Sequence, residues 1–167
     1  MKRTLFAALT LVSLAGCNYS FRAGSFPPPD VKTIAVQPFD NDTDQFEIGG
    51  ELYDQLLKNL PGSLGLRTAG SDVADAVVEG KITRYTVATP NYRASTGGQP
   101  AQVTQRQVTI TVDVQIIDLK SNTIIWEGSG VSAQGQFQES SQQESAGRAE
   151  AIDLLVKKIV DGAQSNW

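Results

Sequence analysis

"VTQRQVTITVDVQIID", residues 103–118, is the stretch of sequence that decides the fold. From position 108 to 116 every second residue is Val or Ile, and the residues between them are Thr, Asp or Gln. Successive side chains of a strand point to opposite faces, so this alternation predicts a strand with one buried face and one polar face. The predicted core positions are Val108, Ile110, Val112, Val114 and Ile116.

The neighbouring segments predict two partners for this strand. Residues 119–122, "LKSN", predict a tight turn, and residues 123–133 predict the returning strand of a hairpin. On the other side, residues 72–89 predict a strand with a bulge at Gly80, connected through a turn-rich loop over residues 90–102. Three strands in succession therefore favour an antiparallel arrangement.

A further strand and a helix are predicted near the start of the domain. Residues 31–39 are nearly continuous in apolar and β-branched character, which is typical of a strand inside a sheet. Residues 40–62 predict an amphipathic helix that begins with a capping box at Asp44 and Glu47 and stops at Pro61-Gly62. Its apolar stripe consists of Leu52, Leu56 and Leu60, with Tyr53 and Leu57 beside them.

The last segment predicts a second amphipathic helix. Ser141 and Glu144 have the spacing of a capping box, and the apolar residues that follow recur at helical spacing. The predicted buried stripe consists of Ala149, Ile152, Val156, Ile159 and Ala163, with Leu155 alongside.

The predicted order β-α-β-β-β-α indicates an α+β fold. We expect a two-layer sandwich in which a four-stranded, mostly antiparallel sheet packs both helices against one face. The other face of the sheet would carry Thr, Gln, Asp and Arg, and would meet water or a polar partner.

The amino terminus has the organisation of a secretory signal peptide. A basic start, Met1-Lys2-Arg3, precedes a short apolar run that ends in small residues. "LAGC", residues 14–17, resembles the bacterial lipobox, in which the thiol of the cysteine receives a diacylglycerol. Cys17 is the only cysteine of the chain, so this interpretation makes it a membrane anchor without a catalytic role. An ordinary secreted protein is the alternative.

The organisation that follows is a signal peptide over residues 1–16, a lipidated tether over 17–30 and one periplasmic domain over 31–167. The tether contains Pro27-Pro28-Pro29, which favours an extended shape. Asn18 differs from the aspartate that retains enterobacterial lipoproteins at the inner membrane, so we expect an outer-membrane location. Removal of Lys2 and Arg3 changes the formal net charge from −4 to −6, which argues against nucleic acid as a partner.

The sequence predicts no catalytic site and no cofactor. It contains no histidine, which excludes Ser-His-Asp and Cys-His catalysis, and it has no phosphate-binding glycine loop. One metal pattern is present in part, because Asp40, Asp42, Asp44 and Glu51 have the spacing of calcium ligands in an EF-hand loop. The sixth position of that loop is Gln45 instead of Gly, which favours a turn before a helix over a metal site.

A positive zone interrupts this acidic chain. Residues 80–112 contain no Asp or Glu. Arginine is suited to phosphate because its guanidinium binds two oxygens at once. The zone is therefore a candidate contact for an anionic lipid, and a solvated hairpin end is the alternative. Its basic residues are Lys81, Arg84, Arg93 and Arg106.

"GCNYSFRAGSFPPPDVKTIAVQPFDNDT", residues 16–43, resembles the start of the lipopolysaccharide-assembly lipoproteins of the LptE family. The shared features are the lipobox cysteine, a Tyr-x-Phe element at Tyr19 and Phe21, a proline-containing tether and the strand that begins at Lys32. The resemblance implies a non-enzymatic protein that plugs a large outer-membrane barrel, LptD, and assists its assembly. It also implies a role in passing lipopolysaccharide to the outer leaflet.

The same strand is similar to openings of TolB-like domains and of lipoproteins that activate peptidoglycan synthases. The alternative function is therefore an adaptor or activator lipoprotein of cell-wall synthesis or of another envelope complex. Residues 18–30 reach about 45 Å when fully extended, which is short for a protein that must contact the wall. The short tether favours the barrel plug.

Overall fold

The fold is described from a computed structural model that covers residues 26–92, 103–138 and 143–165. Along the chain these residues form β1 (Thr33–Val36), β2 (Asp40–Asn41), α1 (Glu47–Ser63), β3 (Arg67–Thr68), β4 (Ala76–Tyr92), β5 (Val103–Asp118), β6 (Thr123–Phe137) and α2 (Glu144–Ser165).

The strands form one mixed sheet in the order β3-β1-β4-β5-β6, and β2 pairs with β4 beyond the end of β1. The long strands β4, β5 and β6 are antiparallel, whereas β1 and β2 run parallel to β4, and β3 runs parallel to β1. The α+β class is confirmed, but the prediction of four strands is wrong, because the sheet has six. β2 and β3 have two residues each, which is too short for alternation to reveal them.

The core lies between the helices and one face of the sheet. The five predicted core positions of β5 are all buried, and the stripe of Leu52, Leu56 and Leu60 on α1 is fully buried. These residues belong to a single hydrophobic cluster that includes residues of both helices and of all the long strands. The prediction that both helices cover one face is therefore confirmed.

The start of α1 differs from the predicted capping box. The N-cap is Phe46, which makes no side-chain cap bond, so the assignment of Asp44 as the cap is wrong. Asn41 organises the preceding turn instead. Its Oδ1 accepts from the Thr43 amide at 2.9 Å, and its Nδ2 donates to the Gln45 carbonyl at 2.9 Å. These bonds shape the turn before α1, but they do not cap the first amides of the helix.

The end of α1 lies a little beyond the predicted stop at Pro61-Gly62. Gly65 has φ 71°, and the Leu66 amide donates back to the Pro61 carbonyl at 2.8 Å. This is the pattern of a Schellman cap, which needs a residue that tolerates positive φ. The helix therefore ends because Gly65 reverses the chain, after Pro61 has already entered the last turn.

α2 packs the predicted stripe with one exception. Ala149 is exposed, so its assignment to the core is wrong. The preceding residue, Arg148, is buried instead. The second predicted capping residue, Ser141, lies outside the described residues. The buried members of the predicted stripe are Ile152, Leu155, Val156, Ile159 and Ala163.

Gly80 has a different role from the predicted bulge. It pairs regularly with Val114, and the register shift lies between Ile82 and Arg84. A Cβ at Gly80 would lie 2.6 Å from an atom of the Phe39 ring. The glycine therefore makes room for Phe39 against the sheet, and the bulge falls at Thr83.

α2 approaches β6 through two glycines. A Cβ on Gly135 would overlap the carbonyl oxygen of Gly147 and would lie 2.6 Å from the Ala151 amide nitrogen. A Cβ on Gly147 would lie 2.8 Å from the Phe137 ring. Backbone therefore meets backbone at this point, and the contact fixes the position of the helix on the sheet.

A buried arginine connects the two helices next to this contact. Arg148 is only 8% exposed. Its Nε donates to Glu51 at 2.8 Å and its Nη2 donates to Glu47 at 2.8 Å, both in the first two turns of α1. The Tyr85 hydroxyl of β4 donates to Glu144 of α2 at 2.6 Å. Burial and then the Glu144 carboxylate raise the pKa of Tyr85, so the hydroxyl keeps its proton.

A carboxylate holds together the strand ends next to the tether. Asp75 accepts from the Lys120 ammonium at 2.6 Å and from the amides of Lys32 and Thr33 at 2.9 and 3.0 Å. The Lys120 side chain and then the Lys32 amide hold the pKa of Asp75 well below its usual range. The start of β1, the start of β4 and the β5–β6 turn are thereby joined.

We expect Gly135→Ala to lower the free energy of unfolding by about 1–3 kcal/mol, because the added methyl group overpacks a contact between two backbones. Urea denaturation followed by circular dichroism measures the change. Gly50→Ala is the matched control. Its Cβ meets nothing within 4 Å, and Ala in a helix is more favourable than Gly by about 0.5–1 kcal/mol. Equal effects of the two variants would contradict the close approach.

We expect Asp75→Asn to lower the unfolding midpoint at pH 7, with an effect that depends on pH. A depressed folded-state pKa stabilises the protein above the ordinary carboxyl value, and this stabilisation is lost as the pH falls through the folded-state value. The gap between wild type and variant should therefore stay constant from neutral pH down to about 5 and shrink below about 4. Asp153→Asn, at an exposed position of α2, is the control; a gap that widens in acid would contradict the assignment.

Candidate partner-binding face

The face of β4, β5 and β6 opposite the core carries almost only polar side chains. Pairing across the three strands places these residues on one side, and within the described residues both helices pack on the other. We call this surface the polar face. Its residues are Glu79, Lys81, Arg84 and Thr86 of β4, Gln107, Thr109, Thr111, Asp113 and Gln115 of β5, and Glu127, Ser132, Gln134 and Gln136 of β6.

Side chains of the polar face bond to one another across the strands. Gln115 Nε2 donates to Glu79 Oε1 at 3.0 Å, and Gln107 Nε2 donates to Gln134 Oε1. Such cross-strand pairs hold side chains in place on a surface that would otherwise be loosely ordered. The polar face thus offers a partner a regular array of amide and hydroxyl groups.

Charge divides the polar face into two halves. A cleft of about 350 Å³ lies in the half nearer the tether, and the carboxylates of Asp40, Glu79, Asp113 and Glu127 line it around Lys81. The other half begins at Arg84 and continues with glutamine, threonine and serine. Among the polar-face residues of that half there is no carboxylate.

Lys81 is neutralised, contrary to the expectation that no carboxylate offsets the positive zone. Its ammonium lies 2.7 Å from the Asp42 carboxylate. The hydrogen bond to Asp42 raises the pKa of Lys81. The pairing arises because β2 lies beside β4 with Asp40 opposite Lys81. A two-residue strand gives no signal in the sequence that would have revealed this neighbour.

The bulge at Thr83 decides where Arg84 points. Before the bulge Ile82 pairs with Val112, and after it Arg84 pairs with Thr111. Without the extra residue Arg84 would pair with Ile110 and face the core, because a shift of one residue moves every side chain to the other face. The bulge thus brings Arg84 to the polar face, where it is exposed.

The four basic residues of the positive zone do not all come together. Arg106 lies opposite Phe137 in the β5–β6 ladder and therefore faces the helix layer, whereas Arg84 is on the polar face. Arg93 lies outside the described residues. Of the two arginines of the positive zone that the structure describes, only Arg84 belongs to the polar face.

The carboxylates considered as calcium ligands point to separate partners. Asp42 binds Lys81, and Glu51 binds Arg148. Over residues 26–92, 103–138 and 143–165, no group of three acidic, cysteine or histidine side chains has the arrangement of a metal site. Cys17, the predicted lipidation site, lies outside the described residues.

β6 is an edge strand whose free side is occupied by side chains of α2. Lys158 Nζ donates to the Ser132 carbonyl at 2.6 Å, and the Gln136 amide donates to Glu150 at 2.8 Å. A further strand added here would have to displace both. A partner therefore has easier access to the polar face than to this edge.

None of the described helices has the length and apolar character needed to cross a membrane.

Residues 31–162 match the model of the family described as LptE, lipopolysaccharide-assembly. The chain belongs to this family. The LptE match covers both helices as far as residue 162 and the whole sheet, so it includes the polar face and the core that supports it. No curated protein sequence matches the chain.

Several solved structures are similar to this LptE-family chain. The hypothetical protein CT253 from Chlamydia trachomatis is 11% identical, with a TM-score of 0.50 over 81% of this chain and 99% of that one. A minor lipoprotein from Acinetobacter baumannii is 20% identical, with a TM-score of 0.45 over 81% and 94%. Lipoprotein GNA1162 from Neisseria meningitidis is 14% identical, with a TM-score of 0.48 over 78% and 96%. At these identities CT253 supports the fold alone.

Proposed function

We propose that this LptE-family protein is a non-enzymatic outer-membrane lipoprotein that docks its polar face against the inner wall of a lipopolysaccharide-translocating β-barrel. In that position it would plug the barrel, assist its assembly and help deliver lipopolysaccharide to the outer leaflet. The barrel partner has the character of LptD. Attachment to the membrane would be through lipid on Cys17, with the domain facing the periplasm or the barrel lumen.

The observation that carries the proposal is the polar face itself. The interior of a membrane barrel is polar, because the apolar residues of its strands point outwards to lipid. A plug must therefore present polar groups over a broad and rigid surface. The polar face spans three long strands, is free of helices in the described part of the chain and is supported from behind by a continuous core.

The protected edge of β6 supports the same mode of docking. A partner that joined by adding a strand would need free amide and carbonyl groups along an edge. Lys158 and Glu150 already bond to that edge of β6. Contact with the barrel wall through side chains of the polar face is therefore more accessible than addition of a strand at this edge.

The positive zone supports a second part of the proposal, a contact with lipopolysaccharide. Fewer basic residues are available for this contact than the sequence suggested. Arg84 lies where the acidic half of the polar face ends, and it is the arginine of this face available to a phosphate group. We propose that Arg84, together with Arg93, contacts the phosphates of lipopolysaccharide. Lys81 and Arg106 would contribute less, because Lys81 is paired with Asp42 and Arg106 faces the helix layer.

We expect Thr109→Arg to reduce co-purification of the barrel from detergent-solubilised membranes several-fold. Thr109 lies in the middle of the polar face, between Thr86 and Gln134, so a long charged side chain there would hold the barrel wall away. Ala149→Arg, on the exposed side of α2, makes the same charge change and should leave co-purification intact. Recovery of cell-wall synthases in place of a barrel by the wild type would favour the activator function.

We expect Arg84→Glu to weaken binding of lipopolysaccharide by the purified protein several-fold. Wild-type binding should decrease with added salt, because exposed charges are screened beyond about 8 Å at physiological ionic strength. Lys157→Glu, an exposed position of α2, carries the same charge change on the other layer and is the matched control. Equal binding by all three proteins, or binding that ignores salt, would show that Arg84 is only solvated.

A further inference from the structure

An apolar row crosses the polar face at the end of the sheet next to the tether. Val77 of β4 pairs with Ile117 of β5, and Ile117 pairs with Ile124 of β6. Ile124 is 54% exposed, although it occupies a face that is otherwise polar. Ile124 lies on the face opposite the core, so packing of the core does not explain its apolar side chain.

Two more exposed apolar side chains lie at the same end. Leu119 is 41% exposed, and its amide donates to the Asp75 carbonyl at 2.8 Å. Val73, two residues before Asp75, is 70% exposed. We call Val73, Ile117, Leu119 and Ile124 the apolar tip. The remaining exposed large apolar side chains among the described residues are Phe46 before α1, Val87 further along β4 and Leu154 of α2.

The tether leaves the domain at the apolar tip. Lys120, beside Leu119, donates through Nζ to the backbone carbonyl of Asp30 at 3.1 Å. Asp75 binds both Lys120 and the Lys32 amide, so the segment leading into β1 is fixed against the β5–β6 turn. Eight residues lie between Cys17 and Phe26, so the chain reaches about 30 Å from one to the other at full extension.

We propose that the apolar tip rests in the headgroup region of the lipid leaflet that holds the acyl chains on Cys17. The occupant of the apolar tip is thus a bilayer surface, and the inference rests on the lipid-anchor part of the proposed function. An anchor within about 30 Å keeps the tip near the membrane, so a small apolar patch suffices for contact. Lys32, exposed beside the tip, would lie at the level of the lipid phosphates.

The neighbouring row of side chains limits the depth of the contact. The next row on the same face consists of Glu79, Gln115 and Glu127. Glu79 and Gln115 lie two residues from their neighbours in the apolar row, and Glu127 lies three residues from Ile124. Two residues of a strand span about 7 Å. Carboxylates do not enter the hydrocarbon, so the tip can sink only to the depth of an interfacial element, about 5–10 Å. This contact would leave the polar face above the membrane and accessible to a partner.

The test is a depth measurement on the full lipidated protein in vesicles of phosphatidylethanolamine and phosphatidylglycerol. Once Cys17 is acylated, a cysteine introduced elsewhere is the single free thiol and accepts a nitroxide label. Leu119→Cys and Ile124→Cys place the label on the tip, and Thr86→Cys places it on the same face beyond the bulge. We expect collision with a water-soluble nickel chelate to be several-fold slower at 119 and 124 than at 86, and collision with oxygen to be faster.

The outcomes separate this inference from the proposed function. The vesicles contain no barrel, so failure to dock a barrel does not affect the result. Mass spectrometry of the amino-terminal peptide of the same sample reports acylation. Acylated protein with equal nickel access at all three sites overturns the tip contact and leaves the anchor in place, whereas a free thiol at Cys17 overturns both. Dipolar broadening between tip labels would assign the patch to a second copy of the chain and would also overturn the inference.

Discussion

The close approach of Gly135 and Gly147 is the contact on which the arrangement of the molecule depends. A side chain on Gly135 would collide with the backbone of α2, so this helix can lie on β6 only because the position is bare. With α2 fixed there, the next residue, Arg148, reaches the carboxylates of α1. The two helices are thereby held side by side on one layer, and within the described residues no helix covers the opposite layer of the sheet.

The two faces of the sheet differ in chemistry, because one is apolar and the other is polar. On one face, alternate residues of β5 are buried under the helices, and the residues between them form the middle of the polar face. The apolar layer gives the domain its stability, and the polar layer offers a surface that does not need to be buried for folding. The domain can thus fold without burying its polar layer.

The sequence allowed the long elements to be predicted, and it failed where a single residue or a two-residue strand decides the outcome. The alternation of β5 and the leucine stripe of α1 extend over several periods, so their burial was predicted correctly. β2 and β3 show no period, which is why the sheet has more strands than expected. The neutralisation of Lys81 could not be foreseen for the same reason, since its partner Asp42 is brought near by β2.

The separation of Arg84 from Arg106 has a different cause. Arg84 pairs with Thr111 near the middle of β5, whereas Arg106 lies close to the start of that strand. The bulge at Thr83 reverses the facing of the next residues of β4, from Arg84 to Ala88, and a Thr among strand-forming residues gives no sign of it. Arg148 did leave a signal, because a basic residue at the helical spacing of Ile152 and Leu155 lies on the apolar stripe and requires buried counter-charges.

The hydrogen bonds from α2 to the outer side of β6 also have a consequence for self-association. A long strand with open amides and carbonyls is a template for pairing with other copies of itself, and such pairing leads to fibrous aggregates. Lys158 and Glu150 of α2 bond to the backbone of β6 at Ser132 and Gln136, and so occupy part of this edge. With these bonds in place, the edge of β6 is less open to pairing with another copy of the chain, and the folded domain is less prone to aggregate.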